Sequence, residues 1–435
     1  RKILDNDSEN QWNKVLEPHD SFYVGSDVFY TYIVQNGLWK MFLEHKTGEG
    51  YYSMAHEIQQ RMLTGVFPDE ISEQFMRIIE YFGQSPFIVR SSSLLEDTYG
   101  HAFAGKYESI FCVNQGSPQE RFIHLANAVR HVYASTMNVD ALAYRAQRGL
   151  DRLDEQMALL VMRVSGTYRG RYFFPDAGGV GLSYNTYVWQ KEMDPEAGMV
   201  RMVFGLGTRA VDRVEGDYPR IVALDSPSRR SHAGMEDLKR FSQHNADVLN
   251  IDRNLIETIP LALLLRDIPD YKIERIGTFD PETAAAISEM GIRQATPWFV
   301  SFDPFLSDTD FAVIMKKLLL TLRKAYNYHV DIEFTVNFAS EGEYRINLLQ
   351  CRPYQAKGVT EEMIIPGDLS DENIFFRCEG SFLGGSIKQN INRVVFVDPE
   401  AYSALTQSGK YEAARIVGRL NRIAAENDNV NMMLM

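Results

Sequence analysis

Apolar positions recur at helical spacing through residues 1–80, where aromatic and polar side chains are mixed. Asp27 reads as a capping residue ahead of Val28, Phe29, Tyr32 and Ile33, whose spacing predicts an amphipathic helix. Phe87-Ile88-Val89, a short apolar run after Pro86, predicts a buried strand that runs into a polar loop at Arg90-Ser91-Ser92-Ser93. A helix is expected over 119–135, with Phe122, Leu125, Val129 and Val132 on one face. Residues 157–164 and 199–205 read as strands, 176–187 as a stretch rich in glycine and turn residues, and 224–247 as polar and irregular. A strong helix is predicted over 310–326, carrying Val313, Leu318, Leu319 and Leu322. Residues 330–337 and 344–351 then form a strand pair joined by 338–343. No internal repeat or low-complexity tract interrupts the pattern. Strands and helices interleave without a regular βαβα alternation, which favours an α+β fold.

Composition narrows the picture only a little. At 435 residues the chain can bury a sizeable core, and its 45% hydrophobic and 24% charged residues are ordinary for a soluble protein. A net charge of −13 argues against nucleic acid or an anionic membrane as the main partner, but leaves room for a small anion held by a few focused cations. The three cysteines, Cys112, Cys351 and Cys378, are far apart and have no CxxC spacing, so neither a disulfide framework nor a zinc site is expected. With no apolar run of membrane-spanning length and no signal peptide, a cytoplasmic location is the default expectation. Arg1 at the start and the apolar Asn431-Met432-Met433-Leu434-Met435 at the end both read as internal to a longer protein.

Three groups of residues carry candidate chemistry. Val89-Arg90-Ser91-Ser92-Ser93 puts a fixed cation and three hydroxyls at the end of a buried strand, which suits a polyphosphate because a guanidinium can bind two oxygens at once. On these residues alone, a salt bridge followed by a turn is the commoner reading. Gly179 and Gly181, like Gly205 and Gly207, either permit tight turns or let backbone N–H groups approach a phosphate closely. No Walker-type GxxxxGK[ST] or Rossmann GxGxxG competes with that second reading. Glu333 and Gln350 sit on the paired strands, where a carboxylate and an amide oxygen suit magnesium, a hard cation that retains waters. The alternative for Glu333 is a partnership with a neighbouring Lys or Arg. Arg352, two residues past Gln350, shares its strand face.

The stretch 89–114, VRSSSLLEDTYGHAFAGKYESIFCVN, resembles the nucleotide-binding domain of the phosphoenolpyruvate synthase and pyruvate phosphate dikinase family. In that family a valine-arginine-serine-serine segment leads through glutamate-aspartate, here Glu96-Asp97, to a phenylalanine-alanine-glycine turn, here Phe103-Ala104-Gly105. The resemblance continues in order through Ala134-Ser135 with Ala143-Tyr144-Arg145, Gly179-Val180-Gly181-Leu182-Ser183 and Phe204-Gly205-Leu206-Gly207. It closes on Asp331-Ile332-Glu333-Phe334 and Leu349-Gln350-Cys351-Arg352-Pro353, so that it covers residues 85–355. The resemblance implies an ATP-grasp-type module of two lobes with ATP and Mg2+ as cofactors. By it, Arg90, Arg145 and Arg352 contact ATP phosphates, Ser91, Gly179, Gly181, Gly205 and Gly207 complete the nucleotide cradle, and Glu333 with Gln350 holds magnesium. It further implies that ATP phosphorylates a histidine on a phosphocarrier domain outside this chain, and that pyruvate, held on a further domain, is the final acceptor. The lobes are expected at 1–155 and 156–357, with 358–435 a linker and the start of a swivelling domain; a homodimer is left open.

The sequence departs from the family in several places. The family's glycine-glycine-lysine loop is missing, and none of the nine histidines stands in its glycine-glycine-x-threonine-x-histidine motif. Ser231-His232-Ala233-Gly234 follows Arg229-Arg230 rather than glycines and reads as a decoy, while His19, His124, His131 and His244 read as surface or helix residues. The interval from Glu333 to Gln350 is longer than the family's hairpin, with 337–343 as the insertion. Arg209 and Arg213 can serve either the nucleotide or the local fold. Residues 380–404 faintly resemble the entry strands of a swivelling domain. Two alternatives therefore stand beside the leading reading: the same relay with a glucan or rifamycin-like acceptor, and a non-catalytic nucleotide-sensing module.

Overall fold

The computed structural model describes residues 2–435 other than 6, 8–10, 19, 47–49, 96–104, 189, 191, 212, 213, 215, 231–233, 291–294, 340, 341, 355–369, 376–381, 384–389 and 426–429. His19, Glu96, Asp97, Phe103, Ala104, Arg213, His232 and Cys378 thus lie outside the described residues. The chain divides into two compact units, one of Arg1–Gln355 with Glu379–Leu383 and one of Ala356–Cys378 with Gly384–Met435.

In chain order the strands of the first unit are β1 (Ser21–Val24), β2 (Phe87–Ser93), β3 (Ser109–Cys112), β4 (Met157–Arg163), β5 (Thr167–Arg169), β6 (Tyr172–Phe174), β7 (Ala177–Leu182) and β8 (Tyr187–Val188). They continue with β9 (Met199–Val203), β10 (Arg220–Ala223), β11 (Asn245–Asn250), β12 (Leu255–Pro260), β13 (Gly277–Phe279), β14 (Trp298–Val300), β15 (Val330–Phe338) and β16 (Tyr344–Pro353). They assemble as β1-β4-β2-β3, β10-β9-β7-β15-β16 and β12-β11-β6-β5, with β13 and β14 as a separate pair and β8 paired with Phe382–Leu383. Antiparallel pairing throughout these sheets, with helices between their strands, makes the fold α+β.

The first sheet is covered by helices Ala55–Thr64, Asp69–Phe82 and Pro118–Ala134, whose Ile58, Met62, Phe75, Ile79, Leu125, Val129 and Val132 share a core with Phe87, Val89 and Val161. The helix Pro118–Ala134 opens with a capping box, in which the Ser117 hydroxyl accepts from Glu120 N–H and the Glu120 carboxylate accepts from Ser117 N–H. Helix Ser26–Gln35 buries Phe29, Tyr32 and Ile33, but Gly25 stands at its N-cap; Asp27 lies inside the first turn, where a carboxylate favours the helix dipole. The hydroxyl run after Val89 is strand rather than loop, because Ser91, Ser92 and Ser93 complete the ladder with Leu159, Ala158 and Met157. Strand β4 belongs to this sheet, so the change to the other sheets comes after Arg163.

In the five-stranded sheet β7 is buried along its whole length between β9 and β15. Helix Phe311–Tyr326 buries Phe311, Met315, Leu318, Leu319 and Leu322 in the core shared with Ile332 and Phe334; Val313 instead faces solvent, 54% exposed. The stretch read as irregular holds helix Met235–Arg240 and the start of β11.

The second unit contains a parallel pair of short strands, Arg393–Val395 with Met432–Leu434, joined through helices Pro399–Ser403 and Gln407–Ala425. No helix among the described residues is long and apolar enough to cross a membrane.

Candidate nucleotide site

The β1-β4-β2-β3 sheet and the five-stranded sheet of the first unit flank a cleft of about 580 Å3, inside the roughly 300–1,000 Å3 usual for ligand pockets. From one side it receives Arg90 and Ser91 of β2, Tyr107 and Ser109; from the other it receives Gly179, Gly207, Glu333, Thr335, Gln350 and Arg352.

Antiparallel pairing explains how distant positions meet there. Glu333 and Gln350 are direct cross-strand partners, as are Asp331 and Arg352. The register slips between Glu333 and Phe334, whose partner is Leu348, so Leu349 is an extra residue on β16. That bulge lies beside Gln350, and the longer hairpin leaves the Glu333–Gln350 pairing intact.

Arg90 crosses the cleft. Its Nη2 donates to Glu333 Oε2 at 2.7 Å and to Gln350 Oε1 at 2.9 Å. Both members of the Arg90–Glu333 ion pair are mostly withdrawn from water, at 16% and 15% side-chain exposure. Arg352 Nε donates to both carboxylate oxygens of Asp331, at 2.7 and 2.9 Å. Glu333 thus has a cationic partner and also forms, with Gln350, a pair of hard oxygen donors.

Three of the nominated residues play other parts, and Arg209, left open between nucleotide and fold, serves the fold. Arg145 is buried and outside the cleft lining: Nη2 donates to the Thr136 carbonyl, and Nη1 lies 3.6 Å from Glu155 Oε2. Gly181 faces the helix behind the sheet, since a Cβ there would lie 3.0 Å from Ile332 and 3.4 Å from Met315. Gly205 has φ of +101° and would push a Cβ to 2.6 Å from the Asp247 carbonyl, so it serves the turn. Arg209 is committed to the fold, with Nη1 donating to Asp217 at 2.6 Å and Nε to Asp247 at 3.1 Å.

Sequence reasoning gave no role of their own to Tyr107, Thr208, Thr335, Asp331 and Gly178. Thr335 lies two residues from Glu333, so strand alternation was a usable signal; it is buried, lines the cleft, and its Oγ1 has no hydrogen-bond partner. Gly178 lets β7 meet the turn at Gly207, because a Cβ on it would lie 2.5 Å from the Gly207 Cα. Nothing in the sequence marked Tyr107.

The donor set fits a magnesium nucleotide. Two arginines supply charge, a carboxylate and an amide oxygen suit a cation that keeps most of its waters, and the orphaned Thr335 hydroxyl adds a polar contact. Among the described residues no cluster of three or more His, Cys, Asp or Glu side chains offers an all-protein metal cage.

An α+β fold whose cleft is lined by arginines and paired side-chain oxygens suits a nucleotide-binding domain, and the family it matches is ATP-grasp-like. The family described as pyruvate phosphate dikinase, AMP/ATP-binding domain, matches residues 7–373, and the chain belongs to it. A search of curated proteins gives no match. The chain is therefore an ATP-binding domain of the phosphotransferase kind found in phosphoenolpyruvate synthase and pyruvate phosphate dikinase.

Proposed function

We propose that the cleft binds ATP together with Mg2+ and presents the terminal phosphates for transfer to a histidine on a separate phosphocarrier domain, with pyruvate as the final acceptor. The observation that carries this reading is the convergence of Arg90, Glu333, Gln350 and Arg352 on one cleft. Glu333 and Gln350 would hold the magnesium, which when bound draws charge from the phosphate oxygens. Arg90 and Arg352 neutralise phosphate charge and fix its orientation, and Gly179 and Gly207 line the same cleft. Catalysis by these residues is positioning plus electrostatics, as phosphoryl transfer requires. A cytoplasmic location accompanies this reading.

Calorimetric titration of ATP into the chain, with Mg2+ and then with a chelator, tests the proposal. Wild type should bind ATP more tightly with the cation, and Glu333→Ala should lose that dependence while staying folded. Cation-independent binding by wild type would remove Glu333 and Gln350 from the metal role.

A further inference from the structure

The side chain of Glu155 gathers both ends of segment 94–106. Ser93 closes β2, and Tyr107 stands two residues before β3. Ser93 pairs with Met157, so Glu155 lies just beyond the end of the β2–β4 ladder. Its Oε1 accepts from the Ser93 hydroxyl and its Oε2 from the Tyr107 hydroxyl. Ser93 Oγ also accepts from Leu95 N–H at 3.0 Å, which fixes the first bend after the strand. Arg145 stands behind the carboxylate, 3.6 Å from Oε2, and Ser93, Tyr107, Arg145 and Glu155 are all buried.

Such an ion pair is a poor device for stability, since well-packed apolar side chains of similar volume often do as well or better. What it does supply is geometry. The carboxylate fixes Ser93, two residues along the strand from cleft-lining Ser91, and holds the ring of Tyr107, which itself lines the cleft. We infer that Glu155, charge-matched by Arg145, is a positioning residue for the nucleotide cleft. It holds the end of the strand that carries Arg90 and Ser91 in register with Tyr107 on the returning chain. The inference rests on the ATP reading above, and it gives Arg145 a role through Glu155 instead of on phosphate.

Glu155→Gln keeps the volume and removes the charge. Its ATP dissociation constant, measured by calorimetry on the full chain, should rise roughly tenfold while circular dichroism and monomer content match wild type. The same variant added to Tyr107→Phe should weaken binding by less than the product of the two separate factors, because both act through one contact. A purely structural role would lower the melting temperature and leave the affinity of the folded fraction alone. Wild-type affinity in Glu155→Gln, or fully multiplicative factors, overturns the inference. Should Glu155→Gln fail to fold, Ser93→Ala combined with Tyr107→Phe reads the same contact, and unchanged affinity there overturns it equally. A wild type that binds no ATP removes the nucleotide reading and this inference together; binding unaffected by these changes removes the inference alone.

Discussion

Arg90 leaves one sheet and bonds to neighbouring strands of another, taking a carboxylate and an amide oxygen with a single nitrogen. A guanidinium has five N–H donors in a planar fork, so these contacts leave it further capacity for phosphate oxygens. The residue types and the family likeness made Arg90, Glu333, Gln350 and Arg352 legible in the sequence. Burial was not legible: Arg145 sits on a helix whose distance from the cleft no local pattern encodes. The same buried neighbourhood also bears on the protonation of His45. His45 stacks on Tyr51 at 4.9 Å, and burial, followed by the nearby charge of Arg145, pushes its pKa below 6.5. The unfolded chain therefore takes up this proton more readily than the folded one, so the contribution to stability is present above 6.5 and is lost as pH falls through the lower folded value. Melting temperature should accordingly drop between about pH 7 and pH 5, and drop less in His45→Phe. Parallel curves for the two proteins would acquit His45.

At the scale of elements, hydrophobic spacing located the helix Phe311–Tyr326 and both strands of the β15–β16 hairpin. It missed what backbone pairing decides. Ser91–Ser93 extend β2 because β4 offers ladder partners, although hydroxyl side chains gave no sign of a strand. Polar 224–247 hides the start of β11 for a related reason: Asn245 and Asp247 are held by side-chain bonds, to Asp217 and to Arg209, Thr208 and Thr258. Arg209 is the staple of that region, joining Asp217, which also accepts from His244 and Asn245 N–H, to Asp247. Removing it takes the cation from two carboxylates with little access to water, a loss of about 3–5 kcal/mol for a buried pair. Urea unfolding of Arg209→Ala should show a loss of that order, whereas a change within about 0.5 kcal/mol, the usual range for surface positions, would mean the network is not structural.

For the whole molecule, the ATP-binding family spans residues 7–373, which includes every strand that builds the cleft. The order of motifs carried enough information to recognise that family. The acceptor is a different matter: it belongs to chemistry at the phosphate's destination, and no residue of the cleft encodes it. On the proposed reading, Arg90, Glu333, Gln350 and Arg352 form one Mg·ATP site. Its most direct test is the melting temperature of the chain with and without saturating Mg·ATP, for wild type and Arg352→Ala side by side. A ligand that binds only the folded state stabilises it by about 2.7 kcal/mol at a hundred times its dissociation constant. The wild-type melting temperature should rise, and Arg352→Ala should abolish the rise while remaining folded. An equal rise in both proteins, or none in a folded wild type, would contradict that reading.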